Sequence, residues 1–415
     1  MPIQHAAPRG EAAAGRGRLW ALRGVVLALG AALLLSVPLS TTDDFLRFAV
    51  TDPPFMPLTY GIQTFLWWDE TAAARDLDWV RLMVFSHVKQ TFAWEDIQPS
   101  RELWAFERAD EIVSEVERRG LRLIARLTDA PQWSHPAQPG VRGVDYVDAP
   151  PDDLADYGAY CGTIAARYRG RIAAYQVWNE PNLSREWGMR TPVATEYVAL
   201  LAACSTAIRA ADPDAIVISA GLAPTGNYDA TALPDDVFLQ QMYDAGFQQH
   251  IDVVGVHAPG YAAPWVAPGE GPGGHRFFSF RRPEDMRRIM IRNGDAARQI
   301  AILETGYTTD TVHDSMRWFA VSEPQQARRL VQAYRYAAEH WRPWVGLMSA
   351  IYIADPGWTQ ANEESWWAVT TPEGYTRPAY IELANMAKYC GADERPARAP
   401  DSPEALGLAP VTPCP

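Results

Sequence analysis

The chain has 415 residues, 48% of them hydrophobic, and a formal net charge of -13. That apolar fraction supplies a sizeable core and excludes global disorder. The acidic balance argues against a nucleic-acid partner, which would call for a basic footprint.

The first residues form a unit of their own. Residues 1–18 read as a basic N-terminus carrying Arg9, Arg16 and Arg18. Residues 19–40, "LWALRGVVLALGAALLLSVPLS", follow. The uncharged run from Gly24 to Leu39 is short for a membrane span. Counted back to Leu19, with Arg23 snorkelling, it is long enough. With no clear small-x-small cleavage site, it reads as an uncleaved signal anchor ahead of a cleaved signal peptide. Either way the basic side stays in the cytoplasm. The rest of the chain is then expected on the extracytoplasmic side of the cell membrane, or secreted. Residues 41–59 read as a linker.

From 60 to 390 a short apolar strand, a loop and an amphipathic helix recur. The predicted strands are "YGIQTFL", "HVKQTFAW", "LRLIARLT", "IAAYQVWNE", "AIVISAGLA", "IDVVGVHA", "QIAILETGY" and "VGLMSAIYIA". Helices such as "FERADEIVSEVERRG" and "EPQQARRLVQAYRYAAEHW" lie between them, and "RPAYIELANMAKYC" closes the series. Eight such units predict an α/β fold of the (β/α)8 TIM-barrel type. An open doubly wound sheet is the alternative, but no Gly-rich turn follows the first strand. Two long loops, 258–280 after the sixth strand and 355–367 after the eighth, are expected on the C-terminal face, where barrels bind ligands. Residues 391–415 form a Pro-rich tail. Of the four cysteines, Cys390 and Cys414 bracket that tail. Cys161 and Cys204 sit on neighbouring predicted helices and either pair or stay as buried thiols.

Two strands end on a carboxylate. "AAYQVWNEPNLSREWG" carries Glu180 at the end of the fourth, and "IAILETGY" carries Glu304 at the end of the seventh. A lone Glu at a strand end is usually a solvated or salt-bridged loop residue. Two of them at one mouth can cleave a glycosidic bond, one protonating the leaving oxygen and the other attacking the anomeric carbon or activating water. None of the eight histidines forms HxH or HExxH, so metal ligation has no sequence support, and no cofactor is called for. Lys89 is the one candidate for a Schiff-base lysine and is discounted. With Gln90 it is a candidate polar contact.

"VWNEPNL" followed by "ILETGY" resembles the retaining (β/α)8 glycoside hydrolases of clan GH-A. These carry the acid/base after strand four and the nucleophile after strand seven. The stretch from "VKQTFAWEDIQPS" to "RLTDAPQW" and the segment "SWWAVTTPEGYTRPAY" resemble family 39-like and family 5-like members. The resemblance implies that Glu180 is the acid/base, Glu304 the nucleophile, and Asn179 a ligand of the sugar 2-hydroxyl. It implies carboxyls about 5–5.5 Å apart and net retention, with the pKa of Glu180 raised so that it starts protonated. His257 in "GVHAPGY" matches the place where the clan often has a His or Tyr near the nucleophile. Tyr261 is a candidate to hold the nucleophile, and Arg126 to bond a catalytic carboxylate; each has an equal reading as packing or a structural salt bridge. Among the loop tryptophans, Trp94, Trp187 and Trp358 are candidate sugar platforms. Where members carry an aromatic residue, usually Trp, on strand eight, this chain offers Tyr352 or Trp358. The implied partner is a carbohydrate substrate, with the membrane reached through the N-terminal helix. A non-catalytic carbohydrate-binding scaffold and a transglycosylase are the competing functions.

Overall fold

In the computed structural model of the chain, the structure describes residues 50–136 and 149–389. The expected basic N-terminus (1–18), signal anchor (19–40), the first part of the linker (41–49 of 41–59) and the tail (391–415), with Cys390 and Cys414, lie outside the described residues. Among the described residues, no helix is long and apolar enough to cross a membrane.

Eight parallel strands close into a barrel in sequence order. They are β1 (Thr59–Gln63), β2 (His87–Ala93), β3 (Arg122–Thr128), β4 (Ile172–Val177), β5 (Ile216–Ser219), β6 (Val253–His257), β7 (Gln299–Thr305) and β8 (Val345–Ala350). A major helix follows each: α1 (Glu70–Leu82), α2 (Glu107–Arg118), α3 (Leu154–Arg167), α4 (Ala194–Ala211), α5 (Asp235–Asp244), α6 (Pro283–Arg292), α7 (Glu323–Tyr336) and α8 (Pro378–Tyr389). Local chemistry starts several of them. Asp69 and Asp153 cap α1 and α3 through their side chains, and Ser322 with Gln325 forms a capping box on α7.

The barrel has two cores. Phe55, Ile124, Ala174, Ile218, Val253, Ala301, Leu303 and Leu347 fill the interior. A larger apolar shell joins the outer strand faces to the helices. Tyrosines of that shell reach the strand ends. Tyr160 donates to the Phe92 carbonyl at 2.7 Å, Tyr157 to Leu127 at 2.7 Å, Tyr197 to Val177 at 3.1 Å and Tyr334 to Met348 at 3.1 Å. These bonds from the helices tie the outer shell to the strands that present the site.

Cys161 of α3 and Cys204 of α4 form a disulfide. The two helices approach closely because Gly158 faces Ala203 and Gly162 faces Ala207; a Cβ at Gly162 would lie 3.2 Å from that of Ala207. The bridge spans 43 residues, for which loop entropy gives a stabilisation of about 2–4 kcal/mol. The Cys161→Ser/Cys204→Ser variant is therefore expected to unfold at clearly lower urea with an unchanged far-UV spectrum. An unchanged midpoint would remove the argument.

Candidate active site

β4 ends at Val177, and the next residues turn sharply. Trp178 and Glu180 adopt φ of +68° and +37°, left-handed values that non-glycine residues rarely take. The turn is held on three sides. Trp178 N–H donates to Leu127 O at 3.0 Å, Gln176 Nε2 to Trp178 O at 2.9 Å, and Glu180 N–H to Gly221 O at 3.1 Å. Asn182 fastens the following loop by bonds to the Ala223 N–H and to the carbonyls of Ala223 and Leu233. Backbone strain at a fixed turn is what lets Glu180 face back over the barrel. From the other side, the β6–β7 ladder slips before His257, so that His257 pairs with Glu304.

The three side chains meet. A carboxylate oxygen of Glu180, a nitrogen of His257 and a carboxylate oxygen of Glu304 all lie within 4.8 Å of one another. His257 Nδ1 stands 2.7 Å from Glu180 Oε1 and 3.7 Å from Glu304 Oε2. Lys89 Nζ donates to Glu304 Oε1 at 3.0 Å, with Arg126 at 3.7 Å from the same oxygen. Arg185 lies 3.3 Å from Glu180 Oε2. Burial pushes the Glu304 pKa up, but His257, Lys89 and Arg126 outweigh it and bring it down to about 2. Glu304 is therefore a carboxylate at any physiological pH. Donor types and spacing in the Glu180–His257–Glu304 cluster could hold a cation, but an ion there would meet Lys89, Arg126 and Arg185 at the same carboxylates.

Glu180 departs from expectation. Burial raises its pKa, yet the bond from His257, with Arg185 beside it, leaves it below the usual carboxylate value. The raised pKa expected of a waiting acid is not present in the unliganded site, because two donors already stabilise the anion.

Both glutamates open into a cleft of about 930 Å³ on the C-terminal face. Asn179 lines it and is tied to Gln176 at 3.3 Å and to Glu186 at 3.3 Å. Phe65, Tyr352 and Trp358 form one aromatic wall, with ring centroids 4.6–5.5 Å apart. Tyr352 and Trp358, the two candidates for the strand-eight aromatic, both line the cleft and pack against each other at 5.4 Å. Tyr261 lines the cleft on the side of Glu180; its ring packs on Phe278, Trp318 and Phe319, and the hydrogen bond to Glu304 comes from Lys89.

Two expected platforms are corrected. Trp94 is fully buried, stacked on Tyr160 and bonded to Gln98 at 2.7 Å. Trp187 is 1% exposed, packed edge-on against Trp178. Neither borders the cleft, because each fills the apolar shell beneath its loop. Gln90 is structural as well, accepting from Leu66 N–H at 2.8 Å. Sequence reasoning undervalued Lys89 and passed over Gly221. The signal for Lys89 was a lysine inside an otherwise apolar strand.

Gly221 has a definite task. A Cβ there would lie 2.1 Å from His257 Cδ2 and 2.2 Å from Nε2. Gly221→Ala is expected to push the imidazole off Glu180 and lower kcat by about 10–100-fold, the cost of a displacement near 1 Å, with little change in Tm. Wild-type kinetics in the variant would show that His257 has room to spare.

Residues 52–251 match the model of the cellulase family, glycosyl hydrolase family 5. The match covers just under half of the chain and ends before Glu304. No curated protein matches the chain. Solved structures share the barrel. A family 39 glycoside hydrolase from Bacteroides cellulosilyticus WH2 aligns with a TM-score of 0.59 at 18% identity, over 81% of this chain and 64% of that one, so this chain spans just under two thirds of its length. The family 39 enzyme from Xanthomonas axonopodis pv. citri gives 0.55 at 17%, over 81% and 67% of the two chains. Xylanase 10B from Thermotoga maritima gives 0.52 at 15%, over 79% and 93%. Over residues 52–251 the chain is thus similar to family 5 glycosyl hydrolases, and it shares the (β/α)8 barrel of family 39 and family 10 enzymes.

Proposed function

We propose that the protein is a retaining hydrolase that cleaves O-glycosidic bonds of a polysaccharide or oligosaccharide through a covalent glycosyl-enzyme. The observation that carries this is the pair Glu180 and Glu304, with carboxylate oxygens within 4.8 Å. Oxygens that close support a retaining pair, whose carboxyl groups stand about 5–5.5 Å apart, over an inverting pair at about 6.5–9.5 Å. Glu304, held ionised by Lys89 and Arg126, attacks the anomeric carbon. Glu180 protonates the departing oxygen and later takes a proton from the water that releases the sugar. Asn179 holds a hydroxyl of the sugar between them.

Glu180 needs its proton when substrate is bound. A saccharide that excludes solvent from the cleft deepens the burial of Glu180, and burial raises the carboxyl's pKa. His257, 2.7 Å from Glu180 Oε1, keeps that carboxyl in place. Esterification of Glu304 removes its charge and lowers Glu180 again for the second step.

The membrane-bound or secreted placement read from 19–40 is part of the proposal. The Cys161–Cys204 disulfide supports it, since disulfides persist in oxidising compartments. The test uses residues from about Thr51 onward with bacterial exopolysaccharides and plant β-glycans. New reducing ends from wild type, absent from Glu304→Gln, with the first-formed product in the anomeric configuration of the substrate, are the expected result. Binding without cleavage by wild type would instead favour a carbohydrate-binding scaffold.

The pH profile carries a sign. Burial lowers the Lys89 pKa to about 8, although Glu304 acts to raise it. As pH climbs through that value, Lys89 loses its charge and Glu304 its nearest cation. The kcat/KM profile is expected to fall on the alkaline side near pH 8. In Lys89→Met that limb disappears from a lower, flatter profile; an unmoved limb would assign it to another group.

A further inference from the structure

We propose that Gln63 binds the glycone, fixing a neutral, hydroxyl-bearing sugar beside Glu304; this rests on the retaining-hydrolase reading above. Gln63 is the last residue of β1 and pairs in register with Lys89, the lysine on Glu304. Its backbone is committed: its carbonyl accepts from Ile353 N–H at 3.0 Å, and the next residue, Thr64, donates to Lys89 O at 2.9 Å. The side chain, 4% exposed, lines the cleft that also holds Glu304 and Tyr352.

The Oε1 of Gln63 has no hydrogen-bond partner. Natural folds seldom leave a buried acceptor unpaired. Among the described residues, two that line the cleft carry an unpartnered buried side-chain atom, Gln63 and His257. The His257 atom, Nε2, abuts Gly221. That leaves Gln63 Oε1 as the acceptor for a ligand at the floor. A carbonyl oxygen asks for a donor, and a sugar hydroxyl is one.

Charge narrows the class. The floor cations, Lys89 and Arg126, both face Glu304, and Arg185 faces Glu180. A uronosyl residue would add a third carboxylate where the described cations are already engaged, opposite an amide that offers it no charge. A neutral pyranose meets an amide and the aromatic wall of Phe65, Tyr352 and Trp358 instead.

The experiment compares wild type, Gln63→Leu and Gln63→Met on aryl hexosides, pentosides and uronosides, then on every monodeoxy analogue of the best substrate. The two variants keep the side chain's size without its acceptor, so either alone suffices if the other folds poorly. A neutral glycoside is expected to be preferred over uronosides by at least about 100-fold, and one deoxy position to cost wild type about 10–100-fold in kcat/KM. In the variants the parent glycoside should lose about as much, and that one deoxy penalty should shrink to about threefold or less. Variants within about twofold of wild type on the parent, deoxy penalties that all persist, or preference for uronosides would each overturn the inference while leaving the hydrolase reading intact. A wild type inert on every glycoside and glycan would remove that reading and this inference with it.

Discussion

Glu304→Gly should lose hydrolysis by roughly 10⁴–10⁶-fold, the scale on which removal of a nucleophile acts, and azide should restore turnover with an inverted product. The glycine vacates the space above Lys89, where Glu304 Oε1 now sits 3.0 Å from Nζ. Azide entering there reaches the anomeric carbon in a single displacement, because Glu180 on the far side still protonates the leaving oxygen. One displacement inverts, so a glycosyl azide of the opposite anomeric configuration is the signature. It is read by proton NMR of the product from a fluoride or aryl glycoside donor. Retained configuration, or no loss of activity, would take the nucleophile's role from Glu304.

Glu180→Ala gives the mirror result. Loss of the proton donor should slow substrates with poor leaving groups by about 10²–10⁴-fold. A dinitrophenyl glycoside, whose leaving group departs without help, should still glycosylate Glu304 at near the normal rate. The ester then accumulates, because no base activates water, and a burst of phenolate precedes a slow steady state. Azide needs no base, so it should relieve the block and yield the azide of retained configuration after two displacements. Intact-mass spectrometry during the slow phase should find the enzyme heavier by one glycosyl unit. The absence of both burst and adduct would mean that Glu180 does not serve the second step. The two variants thus predict opposite anomers from one reagent, which separates the roles without reference to rate.

The barrel was legible because its signals are local and repeated. All eight strands were read from apolar runs bounded by loops, and the helices from their period. Their ends were less so: "IAAYQVWNE" ran on to Glu180, whereas the ladder stops at Val177 and a turn with positive φ takes over. That turn is fixed by Leu127 and Gly221, residues distant in sequence. Glu180 and Glu304 stood out as a pair, because either carboxylate alone reads as a loop residue but two at one barrel mouth suit glycosidic cleavage. Trp94 and Trp187 misled because a tryptophan in a loop reads alike whether it points into a cleft or under the loop into the shell. Lys89 and Gln63 work through side chains, and Gly221 through the lack of one beside His257, at positions brought together by closure of the sheet, and no spacing along the chain records that. The partner of His257 was missed in part for the same reason: its shorter contact is to Glu180, from strand four, and its longer one to Glu304.

The sequence contains two lysines, Lys89 and Lys388, and the first donates to Glu304. Protein grown on ¹⁵N- or ¹³C-labelled lysine would therefore give a nearly blank spectrum, with one ammonium resonance arising at the catalytic floor. Its chemical shift would follow the charge on the neighbouring carboxylate directly, moving when Glu304 becomes an ester and returning when water releases the sugar. Lys388 supplies the one other lysine resonance to assign.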